Sequence, residues 1–256
     1  MLGLPDHVEA CLFDLDGVLT NTATVHAAAW KEMFDDFLEN WASRSGEPFV
    51  PFDLGRDYAE YVDGLPRADG VRAFLDSRHI RIPAGTPDDP PSALTVNALG
   101  TRKNLLVQKR IAKDGVEVYQ GSVTYLQELV DRNLPRAVVS SSANAAEVLR
   151  VTGLDKLIDT VVDGQTAARE KLAGKPAPDT FLAGARLLGV AAGQAAVFED
   201  ALAGVQAGQA GEFGFVVGVN RLDSEHADGL RAHGADTVVS DLADLLAPSG
   251  PGSGQA

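Results

Sequence analysis

Acidic and hydroxyl side chains directly follow several short apolar runs of the sequence. Asp14 and Asp16 come after "EACLF", Glu199 and Asp200 end the run "AAVFED", and Ser140 follows "AVV". Carboxylates held close together at the end of a buried strand need a cation, a proton or a reaction partner to compensate their charge. These residues therefore predict a site of chemistry, and the surrounding elements must bring them together.

The alternation of patterns from about residue 115 onward predicts how those elements are arranged. Short β-rich runs alternate there with stretches of helical pattern, which is typical of a parallel sheet with crossover helices. The predicted strands are 9–13, 136–140, 159–164, 195–200, 213–219 and 236–240. The predicted helices between them are 122–133, 144–153, 179–189, 201–210 and 224–233. We therefore expect an α/β fold whose core is a doubly wound parallel sheet of the Rossmann-like type.

The stretch from about 24 to 113 has a different pattern, which is helical and contains no clear strand. Its proline-rich piece 82–92 predicts a loop, because proline denies backbone donors. We expect a helical cap domain inserted into the core. The predicted bounds are 1–22 and 115–247 for the catalytic core, 23–114 for the cap and 248–256 for a disordered tail.

A doubly wound sheet binds its ligands outside the carboxyl ends of the strands, where the strand order reverses. That rule joins the scattered polar residues into one predicted site. Its members are Asp14, Asp16, Ser140, Ser141, Ser142, Lys175, Glu199 and Asp200. Clustered carboxylates suit a hard divalent cation such as Mg²⁺. The predicted metal ligands are Asp14, Asp16, Glu199 and Asp200.

The same residue set predicts phosphoryl transfer. A serine hydroxyl, a lysine and backbone amides at helix starts can bind a phosphoryl group beside a metal, and a carboxylate can attack phosphorus. Asp14 is the candidate nucleophile, Asp16 the candidate acid and base, and Ser140 with Lys175 the candidate phosphate contacts. Structural roles compete with these assignments, because aspartate also favours turns and serine and acidic residues also favour helix starts. Lys175 could instead be a lysine of a loop that points into solvent.

Four segments in this order resemble the motifs of the haloacid dehalogenase superfamily: "DLDGVLTNT", Ser140, "KPAPD" and "FEDALAG". The resemblance spans the chain apart from the tail. It implies that Asp14 becomes an aspartyl-phosphate, that Asp16 is the general acid and base, and that a helical cap inserted after the first strand closes over the site.

A narrower resemblance is to the β-phosphoglucomutase-like family, carried by "DLDGVLTNTATVHAAAWK", "GLPR", "TRKN" and "SSSAN". The residues that it implies for sugar and distal-phosphate binding are His26, Trp30, Arg67, Lys103, Asn104, Ser142 and Asn144. Charged residues on a helical domain usually form a solvated face, and Trp30 could instead belong to the core of the cap. These alternatives remain open at the level of sequence.

Three residues and one length depart from that family's pattern. Asn21 stands where the family often has aspartate, Ala143 where some members have lysine, and Gly70 replaces a hydroxyl residue near the arginine. The cap is also longer, through "WASRSGEPFVPFD" and the proline loop. The departures leave the four motifs intact and leave the identity of the sugar open.

The resulting functional prediction is a Mg²⁺-dependent sugar-phosphate mutase that converts β-glucose 1-phosphate to glucose 6-phosphate through phosphorylated Asp14. The rival is a phosphatase of the same superfamily, in which water takes the phosphoryl group. A mutase must hold both ends of a bisphosphate, and Arg67, Ser142 and Asn144 are the candidates for that second site. A non-catalytic receiver domain also combines a phosphorylatable aspartate, a hydroxyl and a lysine, but it is about half this length, and here the candidate nucleophile ends the first strand with a large helical insertion behind it. A partner-binding role without catalysis would have no use for Asp16.

Composition limits the partners. With 22 basic and 36 acidic residues the formal charge is −14, which argues against a nucleic-acid partner because phosphate neutralisation needs clustered lysine and arginine. The only cysteine, Cys11, lies in an apolar run, where we expect it to pack in the core. We found no apolar stretch long enough to span a bilayer, so a cytoplasmic monomer acting on a small sugar phosphate is the expectation.

Overall fold

A computed structural model of the chain describes residues 2–246, apart from the side chains of Ala23 and Asp114. The tail predicted at 248–256 lies outside the described residues. The chain divides into two compact units. One is Asn21–Glu117, and the other comprises the residues before and after it. Each is described by itself below.

Within residues 2–246, six parallel strands form one sheet in the second of these units. The strands are β1 (Ala10–Phe13), β2 (Arg136–Val139), β3 (Thr160–Val162), β4 (Ala195–Glu199), β5 (Phe215–Val219) and β6 (Thr237–Val239). Their order across the sheet is β3-β2-β1-β4-β5-β6. The chain therefore builds the sheet outward from β1 on one side and then from β4 on the other, so the order reverses between these two strands. All six strands lie where the sequence predicts them, and the doubly wound α/β fold is confirmed.

The helices fall into two groups. The inserted unit contains α1 (Ala23–Ser45), α2 (Arg56–Tyr61), α3 (Arg67–Ser77) and α4 (Val96–Asp114). The unit with the sheet contains α5 (Gln120–Asp131), α6 (Ala145–Thr152), α7 (Gly164–Glu170), α8 (Asp179–Leu188), α9 (Leu202–Ala210) and α10 (Ser224–Ala232). The sequence missed α7. This helix buries none of its residues, so it has no apolar periodicity, and its one local signal is Asp163, whose side chain accepts from the Thr166 amide at 2.8 Å.

Apolar strand residues pack against helices on both faces of the sheet, as expected for a parallel sheet with crossover helices. Phe13 of β1 stacks on Phe198 of β4 with ring centroids 4.3 Å apart. On α8, a Cβ at Gly184 would lie 2.6 Å from Cδ2 of Leu12 and 3.0 Å from the Val139 side chain. Glycine therefore lets α8 approach the sheet closely, and the loop that precedes α8 is held near the ends of β1 and β2.

The cysteine of β1 is part of this core. Cys11 is fully buried and its thiol is free. Burial raises the pKa of the Cys11 thiol well above its ordinary value, so the thiolate that a nucleophile requires is suppressed. The prediction that Cys11 packs as a core side chain is confirmed.

The inserted unit has its own aromatic core. Trp30 and Phe34 of α1 stack with centroids 5.3 Å apart, and Phe34 continues onto Phe52 and Phe74 at 5.1 and 4.2 Å. No helix among the described residues is both long and apolar enough to cross a membrane. The unit is a helical domain with a hydrophobic centre, which gives its polar helix faces a fixed arrangement.

The two ends of the insertion lie side by side. Thr20 and Val118 form an isolated antiparallel bridge, and the Asn21 amide donates to the Glu117 carbonyl at 2.9 Å. The Asn21 side chain also donates to the Glu117 carboxylate at 3.0 Å. The chain thus leaves and re-enters the sheet-bearing unit through a short pair of extended segments.

Candidate active site at the carboxyl edge of the sheet

The register of β1 and β4 places two carboxylates next to each other. Phe13 pairs with Phe198, and the Asp14 amide donates to the Phe198 carbonyl at 2.9 Å. Asp14 and Glu199 therefore follow paired residues at the carboxyl ends of adjacent strands. This is the point at which the strand order reverses, where a doubly wound sheet binds its ligands.

Lys175 joins these two carboxylates. Its ammonium donates to Oδ1 of Asp14 and to Oε1 of Glu199, both at 2.5 Å, and to the Val139 carbonyl at 3.2 Å. The Lys175 side chain is 1% exposed. The alternative that Lys175 lies in solvent is therefore wrong, because the loop before α8 delivers it into the buried edge of the sheet.

Charge at this edge is not balanced by the lysine alone. Burial raises the pKa of Asp14 well above its ordinary value; the Lys175 ammonium opposes this, while the Glu199 and Asp16 carboxylates add to it. Burial by itself would lower the pKa of Lys175, but Asp14 and Glu199 raise it, so Lys175 is an ammonium at neutral pH. Two carboxylates contact the one ammonium and Asp16 lies near Asp14, so a further cation would stabilise the ionised form of these acidic groups.

The serine run extends the site from the end of β2. The Ser140 hydroxyl lies 3.4 Å from Oδ2 of Asp16 and accepts from the Ser142 amide at 3.1 Å. The Ser142 hydroxyl in turn accepts from the Asn144 amide at 3.2 Å, at the start of α6. Backbone amides at a helix start favour anions. The turn thus places hydroxyl and amide groups beside Asp16, as a phosphate contact requires.

Asp200 lies against the turn that follows Asp16. Gly17 has φ +85°, and a Cβ on it would overlap the Asp200 carboxylate. Only glycine leaves room for that carboxylate, so Asp200 is held next to the Asp16 loop. Glu199 differs, because its Oε1 accepts from Lys175 and its Oε2 accepts from the Ala201 amide at 2.9 Å. Both oxygens of Glu199 are engaged by protein donors.

The acidic side chains of this edge are candidate ligands of a metal ion. No group of three or more histidine, cysteine, aspartate or glutamate side chains among residues 2–246 is already arranged to hold one. The chemistry of the donors nevertheless fits a hard divalent cation, because the Asp14 and Asp16 carboxylates interact, the Asp200 carboxylate lies against Gly17, and such a cation prefers carboxylate oxygens. The fit applies to Asp14, Asp16 and Asp200 more than to Glu199.

Three of the five candidate residues in the inserted unit meet one another. The Lys103 ammonium lies 2.8 Å from Nδ1 of His26 and 4.8 Å above the ring of Trp30. Because an ammonium can only donate, Nδ1 of His26 accepts and the imidazole carries its proton on Nε2. Trp30 is 2% exposed, and it lies in the aromatic core of the inserted unit.

Arg67, another of these candidates, begins α3. Burial lowers the pKa of its guanidinium, and no carboxylate among the described residues offsets that effect. A partly buried cation without a compensating anion predicts that an anion binds there.

The structure adds one loop that sequence reasoning missed, the loop after β5. The His226 ring is hydrogen-bonded to Oδ1 of Asn220 at 3.1 Å and to the backbone of Asp200. Burial lowers the pKa of His226. Arg221 in the same loop reaches the backbone after Asp16. The strand-end rule that located Asp14 and Ser140 applies equally to β5, so the signal was present in "VVGVNR".

Known proteins resemble the chain across most of its length. Residues 8–211 match the family described as haloacid dehalogenase-like hydrolase. A β-phosphoglucomutase of Mycobacterium tuberculosis is 58% identical over 247 residues, which are 96% of this chain and 94% of that protein. A β-phosphoglucomutase of Bacillus subtilis is 33% identical, covering 93% of this chain and 92% of that protein.

Solved structures show the same fold. The crystal structure of β-phosphoglucomutase from Clostridium difficile superposes with a TM-score of 0.71 at 24% identity, over 93% of each chain. The match of fold, the match of motifs at the carboxyl edge and the identity over nearly the whole chain agree with one another. The chain belongs to the haloacid dehalogenase-like family and, within it, to the relatives of β-phosphoglucomutase.

Proposed function

We propose that this protein is a β-phosphoglucomutase, which interconverts β-glucose 1-phosphate and glucose 6-phosphate through an aspartyl-phosphate on Asp14. The observation that carries the proposal is the 58% identity to a mycobacterial β-phosphoglucomutase over 96% of the chain. The buried Asp14 and Lys175 pair at the strand-order reversal supports it, because it supplies a nucleophile and a cationic phosphate contact in one place.

The proposed reaction has two transfers. In the first, the phosphoryl group on Asp14 passes to a hydroxyl of the hexose monophosphate, and Asp16 takes the proton of that hydroxyl. The 1,6-bisphosphate then turns over. In the second, Asp14 attacks the other phosphoryl group and Asp16 returns the proton to the departing sugar oxygen. Each cycle regenerates phosphorylated Asp14, so isomer forms without net release of phosphate.

Protein donors orient the transferred group. Lys175 is held by Asp14 and Glu199, so its ammonium is already positioned beside the carboxylate that carries the phosphoryl group. The Ser140 hydroxyl supplies a further donor beside Asp16, and the Ser142 amide, which donates to it, fixes its place. We propose Ser142 and Asn144 as substrate contacts at the start of α6. Glu199 then acts by fixing Lys175.

We propose Mg²⁺ as the cofactor, held by Asp14, Asp16 and Asp200. A bound divalent cation would neutralise the charge on the phosphoryl oxygens during transfer. Glu199 lies near this set, and we propose that it positions Lys175, because its two oxygens accept from Lys175 and the Ala201 amide.

Removal of divalent cations is expected to stop turnover, and added Mg²⁺ is expected to restore it. Ca²⁺ should not substitute, because it prefers longer bonds and more ligands than an in-line transfer site supports. Asp200→Asn should raise the Mg²⁺ concentration needed for half-maximal activity by about tenfold or more, in keeping with the loss of a ligand. The control is Asp236→Asn, whose carboxylate accepts from the Val216 amide at the amino end of β5. Activity that persists in excess chelator would contradict the metal assignment.

The inserted unit supplies the candidate for the second phosphate. Arg67 is partly buried, burial lowers the pKa of its guanidinium, and no described carboxylate neutralises it. A planar guanidinium can bind two oxygens of one phosphate group, which an ammonium cannot imitate. We propose that Arg67 binds the phosphate distal to the one being transferred. His26, Trp30 and Lys103 are proposed as substrate-binding residues of the same unit, with Trp30 acting through its contact with Lys103.

Arg67→Ala is expected to slow isomerisation by about ten- to a hundredfold, because it removes a charge-assisted contact of roughly 1.5–3 kcal/mol. Hydrolysis of a small aryl phosphate should hardly change, since that substrate has no second phosphate. The matched control is Arg72→Ala on the same helix, where the guanidinium pairs with Asp69 and is half exposed. Equal slowing of both reactions by Arg67→Ala would assign the residue to folding of the inserted unit.

One assay separates the mutase from a phosphatase. The purified protein is mixed with Mg²⁺, β-glucose 1-phosphate and a trace of glucose 1,6-bisphosphate, and glucose 6-phosphate and free phosphate are followed together. The proposal expects isomer with little free phosphate. Stoichiometric release of phosphate without isomer would replace it with a phosphatase. We also propose that the protein is cytoplasmic and monomeric. Sedimentation of the purified chain tests the monomeric state.

A further inference from the structure

The turn that follows Asp16 is a compact unit of backbone hydrogen bonds. The Gly17 amide donates to the Thr20 carbonyl at 2.8 Å, and the Thr20 amide donates to the Leu15 carbonyl at 3.0 Å. The carbonyl groups of Gly17 and Val18 take no part in these bonds and accept from elsewhere. Their partners decide how the turn, and with it Asp16, is held.

Arg221 is the partner that reaches both carbonyl groups. Its Nε donates to the Gly17 carbonyl at 2.8 Å and its Nη2 lies 3.3 Å from the Val18 carbonyl. Its Nη1 donates to the Ser240 carbonyl at 2.7 Å and lies 3.3 Å from the Asp241 carboxylate. All three nitrogens of the guanidinium are thus used, on two separate segments of chain.

The guanidinium of Arg221 also stacks on a residue at the return from the insertion. Its Cζ lies 3.6 Å from the centroid of the Tyr119 ring, and the Tyr119 amide donates to the Leu19 carbonyl at 3.1 Å. Ser122, three residues on, donates its hydroxyl to the Val18 carbonyl at 2.7 Å. Arg221 therefore ties the Asp16 turn, the start of α5 and the loop after β6 into one rigid corner.

We propose that Arg221 is a positioning residue that holds Asp16 in the orientation needed to move protons to and from the leaving oxygen. This inference rests on the acid and base role proposed for Asp16. Arg221 does not touch the transferred group; it acts through the backbone on which Asp16 sits. A planar fork with donors on three nitrogens, stacked on an aromatic ring, has no equivalent in lysine.

The predicted signature is a dependence on the leaving group. An alkyl or sugar phosphate leaves as a strongly basic oxygen and needs a proton, whereas an activated aryl phosphate leaves without one. Loosening Asp16 should therefore slow transfer from a sugar phosphate more than transfer from an activated aryl phosphate. A residue that served only to keep the chain folded would slow both by the same factor.

The test compares Arg221→Lys with Arg136→Lys. Arg136 is the matched control, because it is similarly buried and its guanidinium donates to the Leu157 and Leu134 carbonyls at 2.6 and 2.7 Å and to Asp159 at 3.0 Å. It does so at the amino end of β2, at the edge of the sheet opposite the site. Both variants are measured for thermal unfolding, for kcat and KM on a sugar phosphate, and for the single-turnover release of p-nitrophenol from p-nitrophenyl phosphate, which precedes the transfer from Asp14 to an acceptor and so does not need the base.

Arg221→Lys is expected to lower kcat for the sugar phosphate by about ten- to a hundredfold, with KM and the aryl phosphate rate changed less than about threefold. Arg136→Lys should lower the melting temperature about as much as Arg221→Lys does, but it should not slow the sugar phosphate more than the aryl phosphate. Equal loss on both substrates, or the same pattern in Arg136→Lys, would overturn the proposal. If Arg221→Lys does not fold, Tyr119→Leu takes its place, because it removes the ring on which Arg221 stacks. The same comparison of the two substrates then tests the proposal.

The comparison also separates this inference from the proposed function. A phosphatase must protonate its sugar leaving group as a mutase must, so the leaving-group signature is expected whether the phosphoryl group passes to a sugar or to water. A wild-type protein that releases phosphate without isomerising would end the mutase proposal. The comparison of how strongly Arg221→Lys slows the sugar phosphate and the aryl phosphate would still decide the role of Arg221.

Discussion

Asp14→Asn is expected to reduce turnover by about 10⁴-fold or more while the protein stays folded. An amide cannot form an acyl phosphate, so the covalent route closes. Folding should survive because the amide oxygen of asparagine can still accept from Lys175, which Asp14 does at 2.5 Å. Circular dichroism and thermal unfolding check the fold, and isomerisation of β-glucose 1-phosphate checks the activity.

Labelling supplies the second measurement for Asp14. The wild-type protein, mixed with a phosphate-labelled bisphosphate and quenched in acid, should retain label that is released by hydroxylamine, as acyl phosphates are. Asp14→Asn should retain none. Turnover above a few per cent of wild type, or equal labelling of the variant, would remove Asp14 from the nucleophile role and would direct the search to the other carboxylates of the site.

Lys175→Met is expected to have the largest effect on stability. Removing the ammonium leaves Asp14 and Glu199 buried next to each other, and breaking a buried ion pair from one side costs about 3–5 kcal/mol. Turnover should also be lost, because the phosphoryl group loses its cationic contact. Urea unfolding monitored by far-UV circular dichroism gives the change in the free energy of unfolding.

The double variant Lys175→Met with Glu199→Gln tests the cause of that loss. Removing one of the stranded charges should recover part of the stability, so the two substitutions should not be additive. Lys171→Met is the control, since Lys171 is an exposed lysine at the end of α7. Additive effects, or an equal loss from Lys171→Met, would show that Lys175 does not owe its importance to the buried carboxylates.

The sheet and the membership of the site could be predicted from the sequence. Each strand is a local run of apolar residues that can be recognised alone, and Asp14, Ser140 and Glu199 follow such runs directly. Parallel strands align their carboxyl ends at one edge, so residues distant in the chain were expected together. The register of Phe13 with Phe198 is the pairing that realises this for Asp14 and Glu199.

The division of labour within the site could not be predicted. Sequence predicted four carboxylates in need of a cation and proposed a metal for all four, with no indication of which of them Lys175 contacts. In the structure the Lys175 ammonium lies between Asp14 and Glu199, and the Ala201 amide takes the remaining oxygen of Glu199. Such contacts depend on the path of the loop before α8, which in turn depends on the close approach of Gly184 to Leu12. No pattern of residue types along the chain encodes that path.

Arg221 and α7 were missed for different reasons. Arg221 is one arginine among many, and its contacts with the Gly17 and Val18 carbonyls join residues far apart in the chain. The helix α7 buries no residue, so hydrophobic periodicity could not reveal it. Its capping residue, Asp163, was the one signal, and it stands inside the run "DTVVDG", which reads as a strand and its turn.

The adjacent ends of the insertion have a consequence for how such proteins diversify. Because the Asn21 amide donates to the Glu117 carbonyl at 2.9 Å, the inserted unit begins and ends at almost the same point in space. A segment with neighbouring ends can be exchanged for another of different length without stretching or shifting the strands from which it departs. The extra residues around "WASRSGEPFVPFD" and the proline loop lie entirely inside Asn21–Glu117. A change of length inside the insertion can therefore leave the arrangement of the strands around Asp14 as it is.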